Sequence, residues 1–341
     1  MSRHAPPSSV LADPDNKHPS ASSLYMTAEF FASRQRPPPQ TGKMSWPKLN
    51  VLIEAGYGQG HRQHYKPWLR VTKHDYSPFG NIGHLPSPGM GHLHHYRSHA
   101  ERSSLLVLMW LGAHDARDQY PVWPWDHNHL SHGIGDAHKP NKVVGLLKIA
   151  AEAGIQHGTF PGTTIPYVAT VDIVSTWKKE DGFFFVAHEC KPEDKVTVDD
   201  PLDRVKERLE LTRRYLKSSE IRQHIVHAEQ YSLVFLKNLD ALQPRLRPEL
   251  EAALRTSKDY GHLLDACKRW AYDRPADSVL NEFSSRTSRH FQELVAMLHL
   301  GIWHQEIDHD LSKKLSLWYP LKKGGIATRN ALMQEWKWGV K

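Results

Sequence analysis

The chain has 341 residues, enough for two domains, and its 39% hydrophobic and 24% charged residues are a globular composition able to fill a core. Lys plus Arg exceed Asp plus Glu by 44 to 37, and 24 histidines can add to the formal charge of +7 as pH falls, so an anionic partner such as nucleic acid is favoured. Cys190 and Cys267 stand alone, which excludes a disulfide framework and a four-cysteine zinc site and fits a reducing, cytoplasmic setting. The longest apolar run, Leu105 to Leu111, is too short for a membrane span.

Residues 1–45 read as a Pro/Ser-rich leader without an apolar face. Within it lies a short apolar patch from Leu24 to Phe31. Trp46, Leu49, Leu52 and Ile53 then recur at helical spacing. The loop from Gly56 to Arg70 is Gly-rich, basic and aromatic but lacks the Lys-Ser/Thr ending of a P-loop. Its Arg62, Lys66 and Arg70 either contact a DNA backbone or serve ordinary loop chemistry. A helix is expected from Ser98 to Gly112, with Ser98 as N-cap, Glu101 at capping-box spacing and a body apolar nearly all round. A second runs from Val143 to Gly154. Strands Tyr167 to Val174 and Phe183 to Lys191, joined through Lys178 to Gly182, read as a hairpin. A charged helix from Pro201 to Lys217 and a strand at Ile225 and Val226 complete an α/β core. Beyond residue 243 come helical stripes at Leu250 to Leu254, Tyr260 to Tyr272, Ala276 to Phe283 and Ser288 to Leu300. A strand-like run, Gly301 to Ile307, suggests a winged-helix outline, and Lys322 to Lys341 reads as a docking tail.

The informative pair is Glu189 and Lys191. Two apart on a strand, they face the same side, and Asp172 on the preceding strand can meet Glu189 across the ladder. Converging carboxylates repel unless a hard divalent cation, Mg2+ or Mn2+, relieves them. Such a cation polarises a phosphate and lowers the pKa of its water, which Lys191 would orient. Glu101 adds a third carboxylate. The alternative is an edge salt bridge between Glu189 and Lys191, with Asp172 in solvent. Asp, sixteen residues, then Glu-x-Lys resembles the signature of the restriction-endonuclease-like core.

A longer set of matches, in order over about residues 56 to 235, resembles the TnsA family, endonuclease subunits of heteromeric transposases of Tn-seven-like transposons. It comprises Gly58-Gln-Gly-His61 with Tyr65 to Leu69, Ser98 to Leu108 with Asp118-Gln-Tyr-Pro121, and Ala153 to His157. Thr170-Val-Asp172, Cys190-Lys-Pro192 and Glu210 to Tyr215 follow. The resemblance implies that Glu101, Asp172 and Lys191 are catalytic, with Glu189 at a position that accepts glutamate or glutamine. Magnesium would sit on Asp172, Glu189 and the Cys190 carbonyl, with Glu101 as the remaining carboxylate. It further implies cutting of the 5′ strands of transposon-end double-stranded DNA, a DDE-type transposase partner, and an AAA+ ATPase regulator bound through the C-terminal domain. The setting would be the bacterial cytoplasm, at the nucleoid. A nuclease domain over 46–243 and a winged-helix-like domain over 244–341 are expected, and the leader and the stretch Trp125 to Lys142 depart from the family pattern. A stand-alone restriction or repair nuclease and a non-catalytic DNA-binding adaptor are the rival readings.

Arg213 and Arg214, late on the charged helix, either lie along DNA or pair with acids such as Glu210 on a solvated face. Histidines cluster at His92, His94 and His95, and again with Asp126 at His127, His129, His132 and His138. Zinc is one reading. Loop histidines lining DNA or facing water are the expected one, since so many histidines cluster by frequency alone. Both cysteines are expected to be inert core residues.

Overall fold

The computed structural model describes residues 43–72, 75, 82–134, 142–180, 182–191, 204–227, 230–243 and 247–338. The leader through residue 42, its apolar patch and His138 lie outside them. Helix α1 (Trp46–Glu54) starts on Ser45, whose hydroxyl accepts from the Lys48 N–H. A hairpin of β1 (Gly83–Ser87) and β2 (His92–Tyr96) leads into α2 (His99–Leu111). That helix begins at Ser98, ends at Gly112 in the left-handed conformation, and buries Leu105 to Leu108, Trp110 and Leu111.

Strand β3 (Asp115–Val122) follows, then the short pair β4 (His127–Asn128) and β5 (Lys142–Val143), and α3 (Leu146–Ala153). Strands β6 (Ala169–Lys179) and β7 (Gly182–Cys190) form the expected hairpin, and α4 (Arg204–Ser218) returns the chain to β8 (Arg222–Val226). The sheet order is β3-β6-β7-β8, antiparallel except for the last, parallel pair. It is a mixed sheet flanked by helices, the α/β core expected. One apolar cluster places α2 against the sheet, and a second holds α3 and α4 against it through Ile149, Leu211 and Tyr215.

Past β8 come α5 (Leu233–Leu242), α6 (Pro248–Thr256), α7 (Lys258–Trp270), α8 (Ala276–Thr287), α9 (Phe291–Trp303) and α10 (Gly325–Trp338). Among the described residues no strand follows Val226, so the strand expected at Gly301 to Ile307, and with it the wing, is corrected. The physical reason is close helix packing. A Cβ at Gly301 would stand 2.6 Å from Leu264 Cδ2, so the glycine lets α9 lie close on α7, while Leu300, Ile302 and Trp303 bury the last turn. The apolar cluster around Leu105 on α2 runs without a break into Leu263, Leu280 and Leu298, so one core spans residue 243. The expected docking tail docks on the chain itself. Trp336 on α10 is fully buried, and Arg329 donates through Nε and Nη2 to the Trp110 carbonyl at 3.1 and 2.8 Å. No helix among the described residues is long and apolar enough to cross a membrane.

Candidate active site

Glu101 sits in the first turn of α2, held there by its cap: its N–H donates to Ser98 Oγ at 3.1 Å. The reciprocal half of a capping box differs from expectation, because the carboxylate takes the Arg97 N–H at 2.8 Å instead of the Ser98 N–H. Ser98 Oγ donates to Oε1 at 3.2 Å, and Gln119 Nε2 donates to Oε2 at 3.1 Å. With the residue only 7% exposed, burial first and then the nearby Asp172 charge push the carboxyl up to about 8.

Asp172 occupies a break in both ladders. On one side Asp118 pairs with Ile173 and Tyr120 with Val171, so Gln119 faces Asp172 but is not bonded to it. Gln119 has a φ of 50°, a strained value for a side chain of that size, and its carbonyl is turned to the Trp68 N–H. On the other side the β6–β7 ladder begins at Ile173 and His188, leaving Asp172 opposite Glu189 one rung beyond. There the Asp172 side chain replaces the missing backbone partner: Oδ2 accepts from the Cys190 N–H and from Lys191 Nζ, both at 2.8 Å.

Burial works against the Lys191 charge, yet Asp172 and then Glu189 lift its pKa above the ordinary lysine value, so it is a firm cation. Glu189 is 5% exposed and accepts from Gln223 Nε2 at 2.6 Å. Burial pushes it up to about 7 against the opposing pull of Lys191 and Gln223. The structure thus brings Asp172, Glu189 and Lys191 to one sheet end and links Glu101 to it through Gln119. Sequence reasoning quoted Gln119 only within the family match Asp118 to Pro121 and passed over Gln223, a lone glutamine with no spacing signal, so neither was read as a site residue.

The donor set fits a hard cation. Asp172 Oδ1 and Glu189 Oε2 make no hydrogen bond among the described residues, so each carboxylate keeps an oxygen for a ligand. The carboxylates do not, however, close into a three-ligand cluster by themselves; among the described residues that description fits His92, His94 and Asp118.

The raised carboxyls set a stability trend. With about 8 in the fold against an ordinary 4.5, the folded chain holds a proton that the unfolded chain has lost, so stability falls as pH rises through that window. Buried histidines such as His95, lowered to about 4 chiefly by burial, act oppositely but only below 6.5. Metal-free protein is therefore expected to lose thermal stability from pH 6.5 to 8, and Glu101→Gln to flatten that slope, as melting curves in chelator would record. Parallel curves for the two proteins would show that Glu101 does not carry the trend.

The basic residues read as DNA contacts fare differently. Arg70 is 5% exposed, donates to the Tyr57 hydroxyl at 3.0 Å and stacks over that ring, so its reading as a DNA contact is corrected. Arg62, in a left-handed turn, spends its guanidinium on the Gly89 and His114 carbonyls at 2.8 and 3.2 Å, and is a loop brace. Lys66 is exposed and donates to the Ala55 carbonyl at 2.7 Å. Arg213 and Arg214 are exposed and both pair with Glu210, the solvated alternative.

Of the second histidine cluster, His127 bridges the Trp125 carbonyl and the Tyr215 hydroxyl, and His129 bridges Ser131 and the Ser219 carbonyl, so neither has a nitrogen left for a metal. Both cysteines are buried with their thiols pushed up by burial, Cys267 to about 12, as expected of inert residues. A cavity of about 500 Å³ lies between Gly58, His61, Arg117 and His127, and none of the four candidate catalytic residues lines it.

Over 253 residues the chain is 28% identical to the Transposon Tn7 transposition protein TnsA of Escherichia coli, covering 70% of this chain and 82% of that protein. Over that stretch the chain is similar to TnsA. No protein-family model matches it. A match over 70% of the chain takes in β6 and β7, and with them Asp172, Glu189 and Lys191, wherever it begins.

Proposed function

We propose that this chain is the endonuclease subunit of a multi-subunit cut-and-paste transposase, hydrolysing the 5′ strands at transposon ends with Mg2+, for which Mn2+ substitutes. The likeness to TnsA supports the transposition role. The chemistry rests on one observation: Asp172, with Lys191 Nζ 2.8 Å away, stands opposite buried Glu189 where the β6–β7 ladder ends and the β3–β6 ladder is interrupted. Asp172, Glu189 and the Cys190 carbonyl would hold the cation, with Glu101 as the remaining carboxylate. Bound there, Mg2+ supplies Lewis-acid polarisation of the scissile phosphate and a more acidic water.

The chain's own groups do the rest. Lys191, kept cationic by Asp172, positions the attacking water and offsets charge growing on the phosphate oxygens. Gln119 holds Glu101 toward the site. The nuclease part reaches through about residue 243, followed by a helical C-terminal part. A DDE-type transposase subunit would cut the 3′ strands, and an AAA+ ATPase regulator would bind the C-terminal part, all on DNA in the bacterial cytoplasm. Targeting by partners fits the paucity of free basic side chains among the residues first read as DNA contacts.

The test is strand-resolved mapping of breaks at a cognate transposon end, in magnesium and with the partner proteins. Breaks on the 5′ strand that vanish with Asp172→Asn while 3′-strand breaks persist support the reading. Unchanged breaks would make the chain a DNA-binding adaptor, and full cutting without partners a stand-alone nuclease.

A further inference from the structure

His92 and His94 are two apart on β2, so their imidazoles leave the same face of the strand. That face turns inward onto β3: His92 is 1% exposed, His94 0% and Asp118 1%. His94 Nδ1 lies 2.9 Å from Asp118 Oδ1, and His92 Nε2 lies 3.6 Å from the same oxygen, with the two rings 4.2 Å apart edge to face. Both ring nitrogens of His92 and Nε2 of His94 are buried without a hydrogen bond. Buried polar atoms are nearly always paired, and His92, with neither ring nitrogen bonded although Nε2 lies 3.6 Å from a carboxylate oxygen, needs a reason.

We propose that His92, His94 and Asp118 form a structural zinc site, separate from the candidate catalytic carboxylates, that clamps β2 to β3. Zinc sits about 2.0–2.2 Å from nitrogen and carboxylate ligands, which sets tetrahedral ligand atoms about 3.3 Å apart. The observed 2.9 and 3.6 Å from the two imidazoles to Asp118 Oδ1 fall on either side of that value, and the three ligand atoms all lie within 4.8 Å of one another. Two imidazoles and one carboxylate favour zinc over magnesium. No fourth His, Cys, Asp or Glu among the described residues joins the cluster, so a buried water would complete the set.

Supports for the ligands are already in place. Asp118 Oδ2 accepts from the His95 N–H at 2.8 Å, the Asp118 carbonyl accepts from the Tyr65 hydroxyl at 2.8 Å, and the Tyr65 ring packs edge-on to His92. Full burial denies a DNA substrate any access, which makes the role structural. The clamp reaches the other site through two short covalent paths. β2 runs through Tyr96 into Arg97, whose N–H holds Glu101, and Asp118 precedes Gln119, whose amide holds the same carboxylate.

The test uses tag-free, full-length protein loaded with zinc, then exhaustively dialysed. About one equivalent of zinc is expected to remain by mass spectrometry of the metal, and to remain in Asp172→Ala and His129→Ala. It should fall at least about tenfold in His92→Ala and in His94→Ala. Cobalt titrated into the wild-type chain should give the intense visible bands of tetrahedral coordination, a readout that needs no variant to fold. Zinc retained equally by both β2 variants, or only the weak octahedral spectrum of cobalt in wild type, would overturn the proposal.

Discussion

Asp172→Ala is expected to lower 5′-strand cleavage by about 10³-fold or more, the scale of losing a metal-binding carboxylate together with the group that positions Lys191. Two effects are combined in that substitution. It removes an oxygen from the proposed cation site, and it leaves the Cys190 N–H and the Lys191 ammonium without their shared acceptor. Asp172→Asn separates them. The amide oxygen can still accept from the Cys190 N–H, so the sheet end keeps its geometry while the charge is gone. Melting temperature should stay closer to wild type in Asn than in Ala, with cleavage lost in both. Lys191→Ala, which removes transition-state stabilisation, should cost about 10² to 10³ in turnover with DNA binding little changed. Wild-type rates in Asp172→Asn would reduce Asp172 to a structural role, that of the acceptor for the Cys190 N–H and Lys191.

The second large effect is on stability. Trp336→Ala should destabilise the fold by about 3–5 kcal/mol, the range for truncating a buried tryptophan. The indole is 0% exposed, stacks 4.8 Å from the His188 ring, meets His224 edge-on at 5.2 Å and donates from Nε1 to the Tyr231 hydroxyl at 2.7 Å. His188 is no bystander: it precedes Glu189 on β7 and belongs to a buried polar chain with Ser175 Oγ at 2.7 Å and His224 Nδ1 at 3.1 Å. Loss of the indole opens that chain to water next to the candidate site. Denaturant unfolding should show the lower midpoint, and hydrogen exchange should speed up in α10 and at the ends of β7 and β8. A variant within about 0.5 kcal/mol of wild type would mean that α10 is not docked on the sheet.

Some elements were legible because their signals are local. Ser98, an apolar body and Gly112 delimit α2 to within a residue, and alternation with a turn between marks β6 and β7. The two-residue spacing of Glu189 and Lys191, with Asp172 on the neighbouring strand, was enough to place three groups at one sheet end. Strand β3 was not legible. All eight of its residues are buried, yet Asp115, Arg117, Asp118 and Gln119 give it no alternation; each is tolerated inside because at least one partner from elsewhere meets it. The Gly301 to Ile307 run misled for the complementary reason: short apolar runs suit strand and helix alike, and here residues 301–303 continue the buried face of α9.

The order of residues by itself determined the α/β core, its main hairpin, the capped apolar helix and the carboxylate–lysine pattern, since each follows from capping, periodicity or spacing within a few turns of chain. The tertiary structure alone decided which polar residues turn inward. Arg70 finds Tyr57, Gln119 finds Glu101, and His92 and His94 find Asp118, more than twenty residues away. Burying a polar group is tolerable only when a partner meets it, and the fold, bringing distant segments together, supplies those partners.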